Sequence, residues 1–163
     1  MKIEKNVESI KSNEFLKELS FCRNDTNSYL RKLLPQENNE ILYDAINYAI
    51  FSGGKRFRAF LVIQAAKLFE IPKIRALQAA SAIETTHTYS LVHDDLPSMD
   101  NDEIRRGKPT VHIKWDEATA VLVGDALQAF AYQILSDKKT HPNSEVRLHL
   151  IKTLSEASGH NGM

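Results

Sequence analysis

The sequence predicts an all-α protein, a bundle of about seven helices packed as one domain. Three observations carry this. The 163 residues include only 6 glycines and 5 prolines, and short apolar runs do not alternate with turns. Apolar residues recur instead at helical spacing. Two long stretches carry almost no charge, the mark of helices buried on every side.

Taken in order, residues 3–20 read as an amphipathic helix with Ile3, Val7 and Ile10 on one stripe. A second runs from Asp25 to Leu34 and is stopped by Pro35. In "NNEILYDAINYAIFS" Asn39 is the N-cap, and Gly53-Gly54 end the helix. "FRAFLVIQAAKLFEI" gives the fourth, which ends before Pro72. The fifth, from Pro72 to Asp95, has Glu84 as its only carboxylate between Arg75 and Asp94, and neither Lys nor Arg there. At about 1.5 Å per residue it spans roughly 36 Å, the width of a domain. Asp116 to Leu135 is similar, with Asp125 its only charge beyond Ala118. A last helix occupies 143–157. Two buried helices with five around them are under-covered, and the chain closes on "SEASGHNGM". Residues 1–163 are therefore expected to be part of a larger domain.

The bulk charge excludes little and suggests little. With 21 basic and 21 acidic side chains the net charge is zero, so nothing favours nucleic acid or a membrane surface. The single cysteine, Cys22, rules out an internal disulfide and fits a reducing compartment. No uncharged apolar run reaches about 18 residues, so no membrane span is expected. "MKIEKNVESIKSNEF" lacks the apolar core of a signal peptide. A soluble, cytoplasmic protein is the expectation.

Chemistry concentrates in "SLVHDDLPSMDND", residues 90–102. On a helix His87 and Asp94 project within about 20° of each other, with Ser90 and Leu91 between them, while Asp95 points about 100° away. Pro97 forces the chain off the axis, and a short turn can return Asp100 to the helix end. Two or three carboxylates then converge where the helix dipole is also negative, an arrangement that calls for a cation. Carboxylate oxygens plus water suit Mg²⁺. A solvated acidic turn is the plainer alternative. "SGGKRFR" places Lys55, Arg56 and Arg58 after two glycines at a helix start, where backbone N–H groups and the dipole favour an anion. "IRRGKPT" adds Arg105, Arg106 and Lys108, suited to phosphate or simply to balancing the acidic turn. His87 can be a core histidine or a ligand contact, and His93 beside Asp94 leaves open a His-Asp metal pair. Together these parts describe a site for a Mg²⁺-bound diphosphate with a second anion nearby.

"SGGKRFR", "HTYSLVHDDLPSMDNDEIRRGKPT" and "AVLVGDAL", in that order, resemble the bacterial short-chain trans-prenyl diphosphate synthases, and among them the farnesyl-forming (geranyltranstransferase) group. The resemblance runs from about residue 40 to the end. It implies an isoprenoid synthase-type helical bundle around a central cavity, of which residues 1–163 would be the N-terminal part of a single polyprenyl synthase domain, the C-terminal half with a second aspartate-rich motif being absent. It also implies a prenyltransferase that condenses isopentenyl diphosphate with dimethylallyl or geranyl diphosphate by ionisation, condensation and elimination. Asp94, Asp95 and Asp100 would hold Mg²⁺, or Mn²⁺, against the allylic diphosphate, with Arg105 supporting the same group. Gly54, Lys55, Arg58, His87 and Arg106 would bind isopentenyl diphosphate. Tyr89, with Ser90 beside it, would block growth past fifteen carbons. Ala59 stands where the family usually has proline. The resemblance implies a homodimer at full length, and little or no activity for residues 1–163 alone. The other readings are a non-catalytic subunit that pairs with a catalytic partner, and a His-Asp metal phosphohydrolase built on His93 and Asp94.

Overall fold

The computed structural model describes residues 2–34 and 41–162, with side chains from residue 13 onward. The described residues form α1 (Lys2–Leu33), α2 (Ile41–Phe51), α3 (Phe57–Leu68), α4 (Lys73–Asp94), a hairpin β1 (Ile104–Arg105) and β2 (Lys108–Pro109), α5 (Val111–Lys114), α6 (Glu117–Ser136) and α7 (Ser144–Ser158). The all-α expectation holds, although the seven helices are not the seven expected. The first two are one continuous helix of 32 residues. The polar run around Asp25 resembles a break but is absorbed, because Thr26 donates its hydroxyl to the Cys22 carbonyl one turn back at 2.7 Å. The missing helix is replaced by α5. The stop at Pro35, the cap at Asn39 and the Ile3, Val7 and Ile10 stripe lie outside the described residues or side chains.

α4 is the organising element. It supplies Tyr89 and Val92 to one apolar cluster, Ala76, Leu77 and Ala80 to a second, and Ala82 to a third. The first cluster joins it to α2 and α6, the second to α1 and α3, the third to α6 and α7. Burial on every side does not hold throughout. Ile83, Thr86, His87, Ser90 and Asp94 fall on one helical stripe and are only half-buried. That stripe carries the two residues whose alignment the sequence predicts.

α6 starts at Asp116, whose carboxylate caps it by accepting from the Thr119 N–H at 2.6 Å. By length and composition α6 could cross a membrane. It packs against α2, α4, α5 and α7, but it is not buried on every side, since Val121, Leu122, Asp125, Ala129 and Gln133 are exposed.

Candidate functional site

α4 ends at Asp94, and Asp95 is its C-cap. The chain then folds back through Pro97, and the Asp100 N–H donates to the Asp94 carbonyl at 2.8 Å. The turn anticipated from Pro97 thus forms and seats Asp100 on the end of the helix. Asp94 is half-buried and Asp100 exposed. Asp95 turns inward and is 4% exposed. Its carboxylate accepts from Arg105 Nε at 2.6 Å and lies 2.5 Å from Nη2. Arg105 also reaches Asp102 at 3.4 Å, and its bond to Asp95 raises its pKa above the ordinary value. The charge-balance role considered for Arg105 is therefore realised, with Asp95 as its counter-ion. Arg105 bonds to Asp95 and Asp102 rather than to Asp94 or Asp100, although the Asp94 charge also acts on it.

Arg105 gets there on an element the sequence reading did not anticipate. β1 and β2 pair antiparallel, Ile104 opposite Pro109 and Arg105 opposite Lys108. Arg106 and Gly107 connect them with φ of 54° and 74°, the positive values that a type I′ connection needs. Tyr48 Oη ties the hairpin to α2 by donating to the Pro109 carbonyl at 2.7 Å. A water-sized cavity of about 30 Å³ lies between α2, α4 and the hairpin, beside Asp95, Arg105 and Arg106.

Arg106 faces the other way, towards the glycine turn. Its Nη1 donates to the Gly53 carbonyl. The guanidinium lies where a side chain on residue 54 would stand: a Cβ there would be 2.5 Å from Nη1, at a backbone φ of +113°. Gly54 thus serves both the close approach and the left-handed backbone. Desolvation, then the neighbouring Arg56 charge, depresses the Arg106 pKa. Across the same turn Arg58 Nη1 is 3.3 Å from His87 Nε2. Burial first, and the Arg58 charge second, hold the His87 pKa below 6.5, so the imidazole is neutral at neutral pH. Lys55 is exposed at the mouth of the turn. Gly54, Arg58, His87 and Arg106 therefore gather on one side of the α3 start, whereas Lys55 lines a groove towards α1 with Phe15, Leu16, Arg23 and Phe57.

The two remaining candidates have other surroundings. Tyr89 is 5% exposed and packs edge-on against His93, with ring centroids 5.9 Å apart. Ser90 lies on the open stripe, its hydroxyl donating to the His87 carbonyl at 3.0 Å. His93 Nε2 is 3.1 Å from the Val121 carbonyl, and its ring rests where Gly124 has no side chain. His93 Nε2 also lies 3.9 Å from Asp125 Oδ1, so the carboxylate it meets through that nitrogen belongs to α6.

Among the described residues, no three His, Cys, Asp or Glu side chains converge as a ready-made metal cage. Asp94 and Asp100, joined through the backbone, still fit an ion that keeps several waters and takes the rest of its ligands from phosphate.

Sequence reasoning missed the role of Glu84. Its carboxylate accepts from Arg56 Nη1 at 3.2 Å and from the Ala59 N–H at 3.0 Å, and it is 3% exposed. The signal was present: a lone carboxylate in a charge-free helix needs a buried cation. Arg56, read as one of three equivalent basic residues, is that cation.

Comparison with known proteins bears on the whole arrangement. Residues 39–161 match the family model described as polyprenyl synthetase. Farnesyl diphosphate synthase of Haemophilus influenzae is 48% identical over 128 residues, 78% of this chain and 43% of the relative. That of Escherichia coli is 41% identical over 154 residues, 92% of this chain and 51% of the relative. The apo crystal structure of an FPP/GFPP synthase from Zymomonas mobilis superposes with a TM-score of 0.86 at 48% identity. The match covers 91% of this chain and 54% of that one. The chain spans about half the length of the curated relatives it matches.

Proposed function

The chain belongs to the polyprenyl synthetase family, and from that premise we propose that it carries the first half of a trans-prenyltransferase site, in which isopentenyl diphosphate is joined to an allylic diphosphate. The observation that supports this most is the placement of two opposed charge sets along the open stripe of α4. Asp94 and Asp100 stand at its C-terminal end. His87, Arg58 and Arg106 gather two turns earlier.

Asp94 and Asp100 would hold Mg²⁺, or Mn²⁺, with Asp95 beside them and shared with Arg105. When bound, the metal neutralises the allylic diphosphate as its C–O bond ionises. Arg105 would support the same leaving group, exchanging Asp95 for a phosphate oxygen. Lys55, Arg58, His87 and Arg106 hold isopentenyl diphosphate by its own diphosphate. The neutral imidazole of His87 offers a hydrogen bond there without adding charge. The departing diphosphate takes the C–O electron pair, the isopentenyl double bond supplies the new C–C bond, and loss of a proton restores an alkene. The growing chain would extend from the metal end along α4. Tyr89, one helical position from Ser90 and five before Asp94, is the proposed floor that favours a fifteen-carbon product.

Calorimetry tests this on the 163-residue chain. Isopentenyl diphosphate should bind with or without Mg²⁺ and weaken about tenfold or more in Lys55→Ala. Geranyl diphosphate should bind only with Mg²⁺ and lose that dependence in Asp94→Asn or Asp100→Asn. Binding of both ligands that ignores the metal and both aspartates would end this reading.

A further inference from the structure

The basic turn "GGKRFR" contains three cations, and the structure gives one of them a different task. Lys55 and Arg58 are exposed, whereas Arg56 is 5% exposed. Its guanidinium is spent entirely on protein: Nε donates to Asn27 Oδ1 at 2.9 Å, Nη2 to the Ile50 carbonyl, and Nη1 to Glu84. Arg56 is also the N-cap residue of α3. It sits in the left-handed region at φ 54°, ψ 40° and offers no side-chain cap. A helix start without a cap leaves N–H groups unpaired. Here the acceptor comes from another helix, because Glu84 of α4 takes the Ala59 N–H in the first turn of α3. One carboxylate thus holds both Arg56 and the α3 backbone. Glu84 lies three residues before His87 on α4, and Ala59 directly follows Arg58 on α3.

We propose that Glu84 and Arg56 are a positioning pair for the anion site: they fix the register of α3 against α4, so that Arg58 meets His87 and the backbone presents Lys55 at the head of the turn. The inference rests on the reading of Lys55, Arg58 and His87 as a diphosphate site. Neither Glu84 nor Arg56 touches substrate. Their effect is on where the three other side chains stand.

Two variants of the 163-residue chain test it. Glu84→Gln keeps the shape and an acceptor for Ala59 but removes the charge that seats Arg56. Arg56→Met combined with Glu84→Met replaces the pair by apolar side chains of similar length, which removes both charges together but also takes the partners from the Ile50 carbonyl and the Ala59 N–H. Three readouts are taken: the thermal midpoint, isopentenyl diphosphate affinity by calorimetry, and the His87 imidazole titration by NMR. The expected result is a loss of affinity of about tenfold to a hundredfold in both variants, as displaced clamping groups produce. In the double variant that loss should persist even where the thermal midpoint returns to the parent value. A double variant that regains both stability and affinity would overturn the proposal and leave the pair a purely structural one.

The titration decides the matter independently of any ligand. The Glu84 charge raises the His87 pKa while Arg58 lowers it. If α3 stays in place in Glu84→Gln, loss of that charge moves the His87 midpoint down. If Arg58 leaves His87, the midpoint moves up, which is the expected result. A parent chain that binds no isopentenyl diphosphate would refute the anion-site reading, and the direction of the His87 shift would still settle the positioning role. If the double variant does not fold, Glu84→Gln supplies both readouts.

Discussion

Replacing Gly124 by alanine should destabilise the chain, although alanine is the better helix former. Gly124 lies in the middle of α6, where the substitution alone would gain about 1 kcal/mol. A Cβ at this position would stand 1.9 Å from Nε2, 2.3 Å from Cδ2 and 2.6 Å from Cε1 of His93. The ring has to leave. It then loses its bond to the Val121 carbonyl, worth about 0.5–1.5 kcal/mol. Its edge contact with Tyr89, of similar worth, goes with it. Strain in the α4–α6 contact adds about 1–3 kcal/mol. The net loss comes to about 1–5 kcal/mol, a fall in thermal midpoint of roughly 2–20 °C for a chain of this size. Far-UV circular dichroism on heating measures it. The control is His93→Ala, which removes the obstructing ring. In that background Gly124→Ala should be neutral or stabilising, so the two substitutions are strongly non-additive. An equal cost with and without His93 would show that the close approach is not what limits this position.

Three further outcomes follow from the site. The His87 imidazole should titrate below 6.5, and Arg58→Met should raise its midpoint, as followed by NMR. Because the folded pKa is the depressed one, the unfolded chain binds the proton more tightly. The contribution of His87 to stability is therefore complete above 6.5 and is lost as pH falls through the folded value, which denaturant titrations across that window would detect. Arg105→Met leaves the Asp95 carboxylate buried without its cation and should cost about 2–4 kcal/mol. Adding Asp95→Asn should recover most of that loss, and full additivity of the two changes would argue against the pair. Tyr89→Ala removes a ring that is buried in the core and should lower stability by about 3–5 kcal/mol. In any preparation that condenses the two diphosphates it should also lengthen the product, and an unchanged product spectrum would remove Tyr89 as the floor.

What the sequence showed depended on periodicity and on a few hard constraints. The α4 and α6 helices were legible because charge-free windows of helical length have few other folds available. The fold-back to Asp100 was legible because Pro97 cannot continue a helix. The division of labour among like residues was not. Lys55, Arg56 and Arg58 are chemically similar, and only the left-handed backbone at residue 56 sends its side chain inward while its neighbours stay outside. That Asp95 turns about 100° away from Asp94 was legible from helix geometry, but that Arg105 would meet it there was not. The hairpin escaped notice because two-residue strands give no period to read, although Arg106-Gly107 marks its turn. The join of the first two helices escaped because a polar run can bond to its own backbone and remain helical.

The two consecutive arginines of the hairpin have a consequence for how this protein can change over time. Arg105 belongs to the carboxylate end of α4 and Arg106 to the glycine turn, so the two halves of the site hang on neighbouring residues, whose Cα atoms are about 3.8 Å apart. Substitution can retune either half by altering one side chain. Insertion or deletion cannot, because a single added residue would carry one guanidinium off its target whichever strand absorbed it. Between Glu103 and Thr110, whose backbones are bonded to each other at 2.9 Å, drift should therefore be confined to changes of letter. Changes of length should collect elsewhere, in surface turns such as the one joining α6 to α7.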